Sequence, residues 1–221
     1  MYEKGGENVA RGDREASIAT GVYKQLRDRM MALEIKSGTR LIEDEISAEL
    51  GAGRTPVREA LLRLQGEGLL ERNGGWIVKE IEPSMIVSIF ECRMAIEGYA
   101  ARLAAERVAA RDIETLRDLI EQMEVPEITR TEENRLNRIF HETIILVSGN
   151  TIFLEMYERT QFPYWNLRTP LVIFSPDDKK SVSARHREIL RSLENHDPDR
   201  AEKAARDHIE DTFRIVRQAL L

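Results

Sequence analysis

The sequence predicts a mostly α-helical protein of two small domains. Three observations support this fold class: only 6% of the 221 residues are aromatic while 33% are charged, Pro and Gly number just 7 and 13, and apolar residues recur at helical spacing. This composition disfavours a β-sandwich, a collagen-like chain and a disordered tail. The length leaves room for a second domain beside a small first one.

The first predicted element is a helix over residues 17–34, with Ser17 as its N-cap. Residues 1–16 before it alternate charged side chains with Gly and lack the basic start and apolar centre of a secretory signal. They predict a flexible N-terminal arm. Apolar residues at steps of four draw one stripe along the helix: Ile18, Val22, Leu26 and Met30.

Two short helices and a β-hairpin are predicted to follow. The second helix covers residues 42–50, and its early acidic residues suit the positive end of the helix dipole. The third begins at Thr55, carries proline in its first turn and ends at Gly66. Short extended segments on both sides of residues 73–75 predict the hairpin. This order is a winged helix-turn-helix pattern, which places the first domain at residues 17–80.

A second domain is predicted over residues 84–221, after a boundary near Pro83. Its pattern is helical throughout and shows no repeat at a fixed period. The predicted helices cover 85–108, 111–123, 132–147, 150–165, 179–195 and 198–220, with Pro163, Pro170, Pro176 and Pro198 marking breaks.

The formal net charge of −6 would normally argue against a nucleic-acid partner, because phosphate binding depends on clustered Lys and Arg. The acidity is unevenly distributed, however. Residues 1–80 carry 13 basic and 14 acidic side chains, whereas residues 81–221 carry 20 and 25. The local arrangement of charges in the first domain therefore decides the question.

No membrane-spanning helix is predicted, because the longest aliphatic run, residues 144–147, is far shorter than the ~20 apolar residues required. Cys92 is the single cysteine, which excludes an internal disulfide and a cysteine-based zinc site. These features predict a cytoplasmic protein with no membrane partner.

The third helix carries a candidate DNA-reading face. Arg54, Thr55 and Arg58 lie on one arc of this helix, and its apolar residues lie on another. Two arginines four apart near a helix N-terminus can enter a major groove, where Arg pairs bidentately with guanine. The alternative is a solvated face on which the arginines pair with Glu59 and Glu67. The order of helices and hairpin around the third helix favours DNA binding.

Residues 38–41, 51–61 and 67–70 resemble the GntR family of bacterial transcriptional regulators. The resemblance implies that the third helix enters the major groove of operator DNA while the wing approaches the minor groove. Arg54 and Arg58 would then make the main DNA contacts, and Thr55 and Gly75 would assist through a hydroxyl and the backbone. This chain departs from the family at Gly53, where a Ser or Thr usually precedes the first arginine.

Three of the four histidines lie in predicted helices of the second domain: His141, His186 and His208. Asn137 and His141 are four apart and project from one helix face, an arrangement that offers two ligands to one metal ion. On spacing alone, hydrogen bonding on a half-polar face is the commoner use of such a histidine. Both interpretations stay open from the residues themselves.

From Ser84 onward the chain is similar to the effector domain, called FCD, of the FadR branch of the family, through residues 93–97, 137–141, 148–150, 186–190 and 208–210. The resemblance implies an antiparallel helix bundle around a cavity, and a divalent metal held by an acidic residue and three histidines. Those positions match Asn137, His141, His186 and His208. Because Asn137 carries no charge where an acidic ligand is usual, the donor set favours Zn²⁺ or Ni²⁺ over Ca²⁺ or Mg²⁺.

Arg93 has two equally supported interpretations, a clamp for an effector carboxylate or an ion pair with Glu97 four residues later. The prediction as a whole is a homodimeric transcriptional regulator that binds a pseudo-palindromic operator and responds to a small organic or sugar acid, with repression as the expected direction. The alternative is a metal-dependent hydrolase or lyase with a winged helix for protein contacts. Glu142 and Glu188 adjoin histidines, but neighbouring helix positions diverge by about 100° and supply no general base.

Overall fold

The computed structural model of the chain describes residues 5–32, 34–80, 82, 84–171 and 174–220. It divides into two compact units, Met1–Ile81 and Glu82–Leu221. Both units are built mainly from helices, and the β-structure of the described residues lies in unit 1. The mostly α-helical class predicted from the sequence is confirmed.

Unit 1 is a winged helix-turn-helix domain. The helices α1 and α3 pack against each other through the apolar stripe of α1, in which Leu26 and Met30 are fully buried. The three strands form an antiparallel sheet in the order β1-β3-β2. The elements in chain order are α1 Gly5–Met31, β1 Arg40–Leu41, α2 Glu43–Leu50, α3 Arg54–Gly66, β2 Leu70–Arg72 and β3 Trp76–Val78.

Two details of unit 1 differ from the sequence prediction. Helix α1 begins at Gly5 rather than at Ser17, so residues 5–16 of the predicted arm are helical, and residues 1–4 lie outside the described part. No proline interrupts this segment, and extending an existing helix costs far less than starting one. Strand β1 was not predicted, because two residues are too short to show alternation. It forms by pairing across the wing, with Leu41 opposite Trp76.

Side-chain hydrogen bonds tie the wing and α1 to the rest of unit 1. The indole Nε1 of Trp76 donates to Oε1 of Glu43 over 2.8 Å, which joins β3 to the start of α2. The hydroxyl of Tyr23 donates to Glu67 over 2.8 Å, which joins α1 to the end of α3. Burial, together with this hydrogen bond, raises the pKa of Tyr23 to about 12. These contacts hold α3 and the wing in defined positions.

Unit 2 is a helical bundle organised around α4, which packs on α6, α7, α8 and α9. Small alanines let the helices approach closely along α4 and α9, where Ala101, Ala104 and Ala201 are fully buried. Its helices are α4 Met85–Arg107, α5 Ala110–Met123, α6 Arg130–Val147, α7 Thr151–Leu171, α8 Pro176–Glu194 and α9 Pro198–Leu220.

Two of the four prolines predicted as breaks do not break a helix. Helix α7 continues through Pro163 and Pro170 to Leu171. Burial of Tyr157 and Tyr164 within this helix supplies packing energy that offsets the hydrogen bond lost at Pro163. Among the described residues, no helix is both long enough and apolar enough to cross a membrane.

Candidate nucleic-acid interface and metal centre

Helix α3 has a buried apolar face and an exposed polar face, as the sequence predicts. Its apolar side chains are buried in the core of unit 1, and the side chains of Arg54, Thr55 and Arg58 are exposed. Leu62 lies one turn after Arg58 and is 50% exposed. The exposed face therefore offers cations, a hydroxyl and an apolar contact, which are the groups that read base edges in a major groove. The buried residues of α3 are Pro56, Val57, Ala60, Leu61 and Leu64.

Arg54 is held in place by Asp44 of α2, a partner that sequence reasoning missed. Its Nε lies 2.7 Å from Oδ1 of Asp44, and its Nη2 lies 2.9 Å from Oδ2. The two side chains remain 75% and 62% exposed, so this bidentate pair sits at the surface. Within the described residues, Arg58 has no ion-pair partner. The α3 arginine that pairs with Glu67 is Arg63, whose Nε lies 3.4 Å from Oε1 of Glu67. The predicted alternative of pairing with this glutamate therefore describes Arg63 rather than Arg54 or Arg58.

The wing brings a further arginine to Gly75. Arg40 lies on β1, its guanidinium covers the glycine turn, and its Nη2 donates to the carbonyl of Asn73 over 3.3 Å. A Cβ at Gly75 would lie 3.2 Å from Cζ of Arg40, so this close approach depends on glycine. Arg72 on the same wing stacks its Cζ 3.9 Å from the ring centroid of Trp76.

Gly53 serves as the N-cap of α3 without a side-chain hydrogen bond. Of the two hydroxyls that might replace the usual Ser or Thr here, that of Ser47 is buried and has no hydrogen-bond partner among the described residues. Thr55 is exposed at the second position of α3. Only Thr55 of these two can therefore reach a phosphate.

In unit 2 the structure brings three predicted ligands together. His141 of α6, His186 of α8 and His208 of α9 are all buried, and their candidate ligand atoms lie within 4.8 Å of one another. Nε2 of His141 is 3.2 Å from Nε2 of His208. Two imidazoles bound to one ion at about 2.0–2.1 Å place their nitrogens roughly 3–3.5 Å apart, so this pair fits a shared metal. The donor chemistry suits Zn²⁺ or Ni²⁺.

Glu97 of α4 orients one of these histidines. Its Oε2 lies 2.7 Å from Nδ1 of His141, and its Oε1 accepts a hydrogen bond from Nε of Arg93 over 2.6 Å. Burial opposes the charge on Glu97, yet Arg93 and His141 outweigh burial and lower the pKa of Glu97 to about 2. In this arrangement Nδ1 of His141 faces the carboxylate of Glu97, and Nε2 of His141 faces His208.

Arg93 forms an ion pair with Glu97, which is one of the two interpretations that the sequence left open. Its side chain is 2% exposed, and its Cζ lies 4.1 Å from the ring centroid of Tyr164. Although burial disfavours its charge, the adjacent Glu97 raises the pKa of Arg93. Nη1 of Arg93 is buried without a hydrogen-bond partner among the described residues. The effector clamp at Arg93 stays a prediction.

A cavity of about 440 Å³ opens beside the histidine cluster, between α5, α6 and α8. Asn137 and His186 both line it, so the predicted amide ligand and one of the three histidines face the same space. Arg93 is not one of the described residues that line this cavity. Charged groups also face the cavity: Lys179, Lys180, Arg187, Glu124 and Glu133.

The carboxylates one and two positions after a histidine in the sequence are engaged elsewhere. Glu142 accepts a hydrogen bond from Arg138 over 3.0 Å, and Glu188 accepts one from Arg185 over 3.0 Å. This agrees with the expectation from helix geometry that neither points at the three histidines as a general base. The geometry thus gives no specific support to a hydrolase or lyase.

Comparison with known proteins gives two matches that divide the chain as the fold does. Residues 18–76 match the family described as bacterial regulatory proteins, gntR family, and residues 88–211 match the FCD domain. The Nta operon transcriptional regulator of Aminobacter aminovorans is 35% identical over 61% of this chain and 68% of its own length. A probable D-xylose utilization operon transcriptional repressor of Paenarthrobacter nicotinovorans is 31% identical over 86% of both chains.

Solved structures agree with these sequence matches. The E. coli protein McbR/YncC superposes with a TM-score of 0.81 at 25% identity, over 91% of this chain and 97% of its own. These relatives are transcriptional regulators, which decides against the enzyme alternative. The chain therefore belongs to the GntR family of bacterial transcriptional regulators and carries the FCD domain as its second half.

Proposed function

We propose that this protein is a cytoplasmic, homodimeric repressor whose affinity for a two-fold symmetric operator is controlled by a small organic or sugar acid. The observation that carries the proposal is the exposed face of α3, where Arg54 and Arg58 project from a helix held rigidly by its buried side. Repression is supported by the relatives named as operon repressors, including the gluconate operon repressor of Bacillus subtilis, 30% identical over 83% of this chain.

The exposed residues of unit 1 support a specific set of proposed DNA contacts. Arg54 and Arg58 pair with guanine edges in the major groove, and Thr55 donates its hydroxyl to a phosphate. Gly75 allows the wing backbone to approach the duplex closely. A dimer presents two such units, so the operator has two matching halves.

The effector site is proposed at the histidine cluster and its cavity. His141, His186 and His208, with Asn137 on the cavity side, would hold one Zn²⁺ or Ni²⁺. A bound metal supplies a Lewis acid with open coordination positions for an effector carboxylate. A volume of about 440 Å³ suits a small acid. Three cationic side chains line the cavity against two carboxylates, which leaves a net positive charge that matches a negative ligand. The effector acts through unequal affinity for DNA-competent and DNA-incompetent states of the protein.

The homodimer is supported by exposed apolar side chains on two adjacent helices of unit 2. Tyr99 of α4 is 46% exposed and contacts the ring of Phe153 of α7 at a centroid distance of 6.1 Å. Ile152 and Met156, four apart on α7, are also exposed. Contiguous apolar surface of this kind commonly marks a protein interface.

The experiment that tests the proposed function starts from a library of randomised DNA duplexes. Wild-type protein should recover duplexes that share a two-fold symmetric motif, and fluorescence anisotropy should give nanomolar affinity for that motif at physiological salt. Zinc-loaded protein should then release this DNA when the matching acid from a panel of organic and sugar acids is added. Recovery of no shared motif would overturn the proposal.

Metal loading is expected to stabilise the folded protein. Elemental analysis should find about one Zn²⁺ or Ni²⁺ per chain, and adding Zn²⁺ to chelator-treated protein should raise the melting temperature. At a free-metal concentration 100 times Kd the stabilisation is about 2.7 kcal/mol. His208→Ala should abolish both effects, because it removes one of three buried ligands.

His196→Asn is the matched control for metal loading. His196 lies in a turn with φ 48°, and its Nδ1 contacts the carbonyl of Ala105 rather than the three histidines. Asn tolerates this left-handed conformation. The control should load metal like the wild type. A wild-type protein that takes up no Zn²⁺ and shows no change in melting temperature would return the histidines to a structural role.

Asp44→Asn is expected to increase affinity for random-sequence DNA by about threefold to tenfold. The change removes a negative charge beside the predicted DNA face and releases Arg54 from its bidentate partner, an exposed interaction of roughly 0.5–1 kcal/mol. Anisotropy titrations on a random duplex at two salt concentrations measure this. Glu49→Gln is the matched control, because Glu49 also lies on α2 and pairs with an arginine, Arg29, at 2.9 Å. Equal effects of the two changes would contradict the assigned role of Asp44.

A further inference from the structure

We propose that Arg40, on β1 outside the hairpin, supplies the cation with which the wing reads the DNA minor groove. The family resemblance assigned only the backbone at Gly75 to this contact. The structure places a guanidinium directly over that glycine, so β1 and the wing form one DNA-contacting unit. The proposal rests on the proposed DNA-binding face of unit 1 and adds a specificity-determining residue to it.

The placement of Arg40 is built by three contacts. Backbone pairing of β1 with β3 sets Arg40 opposite Ile77, just after the end of the wing turn. Nη2 then donates to the carbonyl of Asn73, which fixes the guanidinium along the turn rather than away from it. The planar group lies against Gly75, where a Cβ would come within 3.2 Å of Cζ and 3.4 Å of Nη1.

The charge of Arg40 remains available. Its hydrogen bond is to the neutral carbonyl of Asn73, and among the described residues no carboxylate pairs with it. Arg54 differs in this respect, because Asp44 holds it at 2.7 Å. Arg40 is exposed, and it extends beside a turn whose two glycines leave room for its guanidinium.

This arrangement suits a narrow minor groove. A·T-rich segments have a narrow minor groove with enhanced negative potential, and this potential attracts inserted arginine side chains. A guanidinium on a thin glycine turn can enter such a groove, whereas a bulky turn cannot. The operator is therefore expected to carry A·T pairs where the wing docks, outside the bases read by α3.

The test uses full-length protein and duplexes recovered by wild type from a randomised library. Arg40→Ala should weaken binding to the recovered duplex about tenfold and reduce the slope of log K against log salt by about 1 for each wing in contact. Library selection with Arg40→Ala should keep the central motif and lose the flanking A·T preference. Gly75→Ala, which displaces the guanidinium without changing the charge, should lose the same preference.

Arg29→Ala is the matched control, because it removes one positive charge from unit 1 at a guanidinium that is committed to Glu49. It should keep the flanking preference. Melting temperatures of all variants show whether the wing stays folded, and Arg40→Lys, which retains the charge, should recover part of the salt slope without the preference. The proposal is overturned if Arg40→Ala matches Arg29→Ala in affinity, salt slope and selected flanks. Absence of any central motif with wild type would instead overturn the proposed function, while the salt slopes on random DNA would still report on Arg40.

Discussion

Replacing Arg54 and Arg58 together with Ala is expected to weaken operator binding at least about 30-fold while leaving the fold intact. Each bidentate contact with guanine contributes about 1–3 kcal/mol, and each factor of ten in affinity corresponds to 1.4 kcal/mol. Both side chains are exposed, and the surface pair that Arg54 makes with Asp44 contributes little to stability. Anisotropy titration measures the affinity, and circular dichroism with thermal melting measures the fold.

Arg63→Ala provides the control on the same helix. Its guanidinium stacks 3.6 Å from the ring centroid of Tyr23 and pairs with Glu67, so it faces α1. This variant should lose affinity for operator and random DNA to the same small extent. If the double variant behaves like Arg63→Ala, retaining operator preference with an unchanged melting temperature, α3 is not the reading helix.

Replacing Glu97 with Gln is expected to destabilise unit 2 by about 3 kcal/mol. The change keeps the size of the side chain but leaves the charge of fully buried Arg93 without a counter-charge, which is among the costliest single changes in a protein interior. It also removes the carboxylate that orients His141, so metal affinity should fall about tenfold to a hundredfold. Urea unfolding and a Zn²⁺ competition titration measure the two effects.

Glu142→Gln is a close match for this test. Glu142 pairs with Arg138 four residues earlier, which is the same order and spacing as in the pair of Glu97 with Arg93. The two pairs differ in burial, because Glu142 and Arg138 are 22% and 29% exposed whereas Glu97 and Arg93 are 4% and 2% exposed. Its loss should change the unfolding free energy by no more than about 1 kcal/mol. Replacing both buried partners, Arg93→Met with Glu97→Leu, should recover much of the stability but not the metal affinity. Equal destabilisation by Glu97→Gln and Glu142→Gln would show that burial of the pair carries no special energy.

Local patterns were sufficient to predict most of the elements. The step-of-four stripe through Leu26 and Met30 marks the buried face of α1, and the glycines at Gly51 and Gly66 mark helix ends within a residue or so. Helix α7 was underestimated because proline carries a strong local penalty, while the burial of Tyr157 and Tyr164 that offsets it depends on distant helices.

The candidate sites divide in the same way between local and distant contacts. The arc of Arg54 and Arg58 follows from helical spacing, because both residues lie on one helix. The contacts of Asp44 with Arg54 and of Arg40 with Gly75 join different elements, and no periodicity reports them. Contacts between residues on different elements can be identified only in the folded chain.

The partnership between Glu97 and His141 is another contact that sequence spacing could not predict. The pairing of Glu97 with Arg93 could be predicted from their four-residue spacing within α4. The contact of Glu97 with His141 joins α4 to α6, and no spacing within one helix indicates it. The three histidines themselves lie on three helices, and family resemblance, rather than spacing, brought them into one predicted site.

The measurement that tests the central claim most directly is dimethyl sulfate protection of guanine N7 on the operator. Wild-type protein at saturation should protect guanines in two symmetric half-sites, because Arg54 and Arg58 occupy the major-groove edge that carries N7. The double alanine variant, at concentrations that give equal occupancy of the duplex, should leave those guanines reactive. Guanines that stay fully reactive under saturating wild-type protein would contradict the assignment of α3 to the major groove.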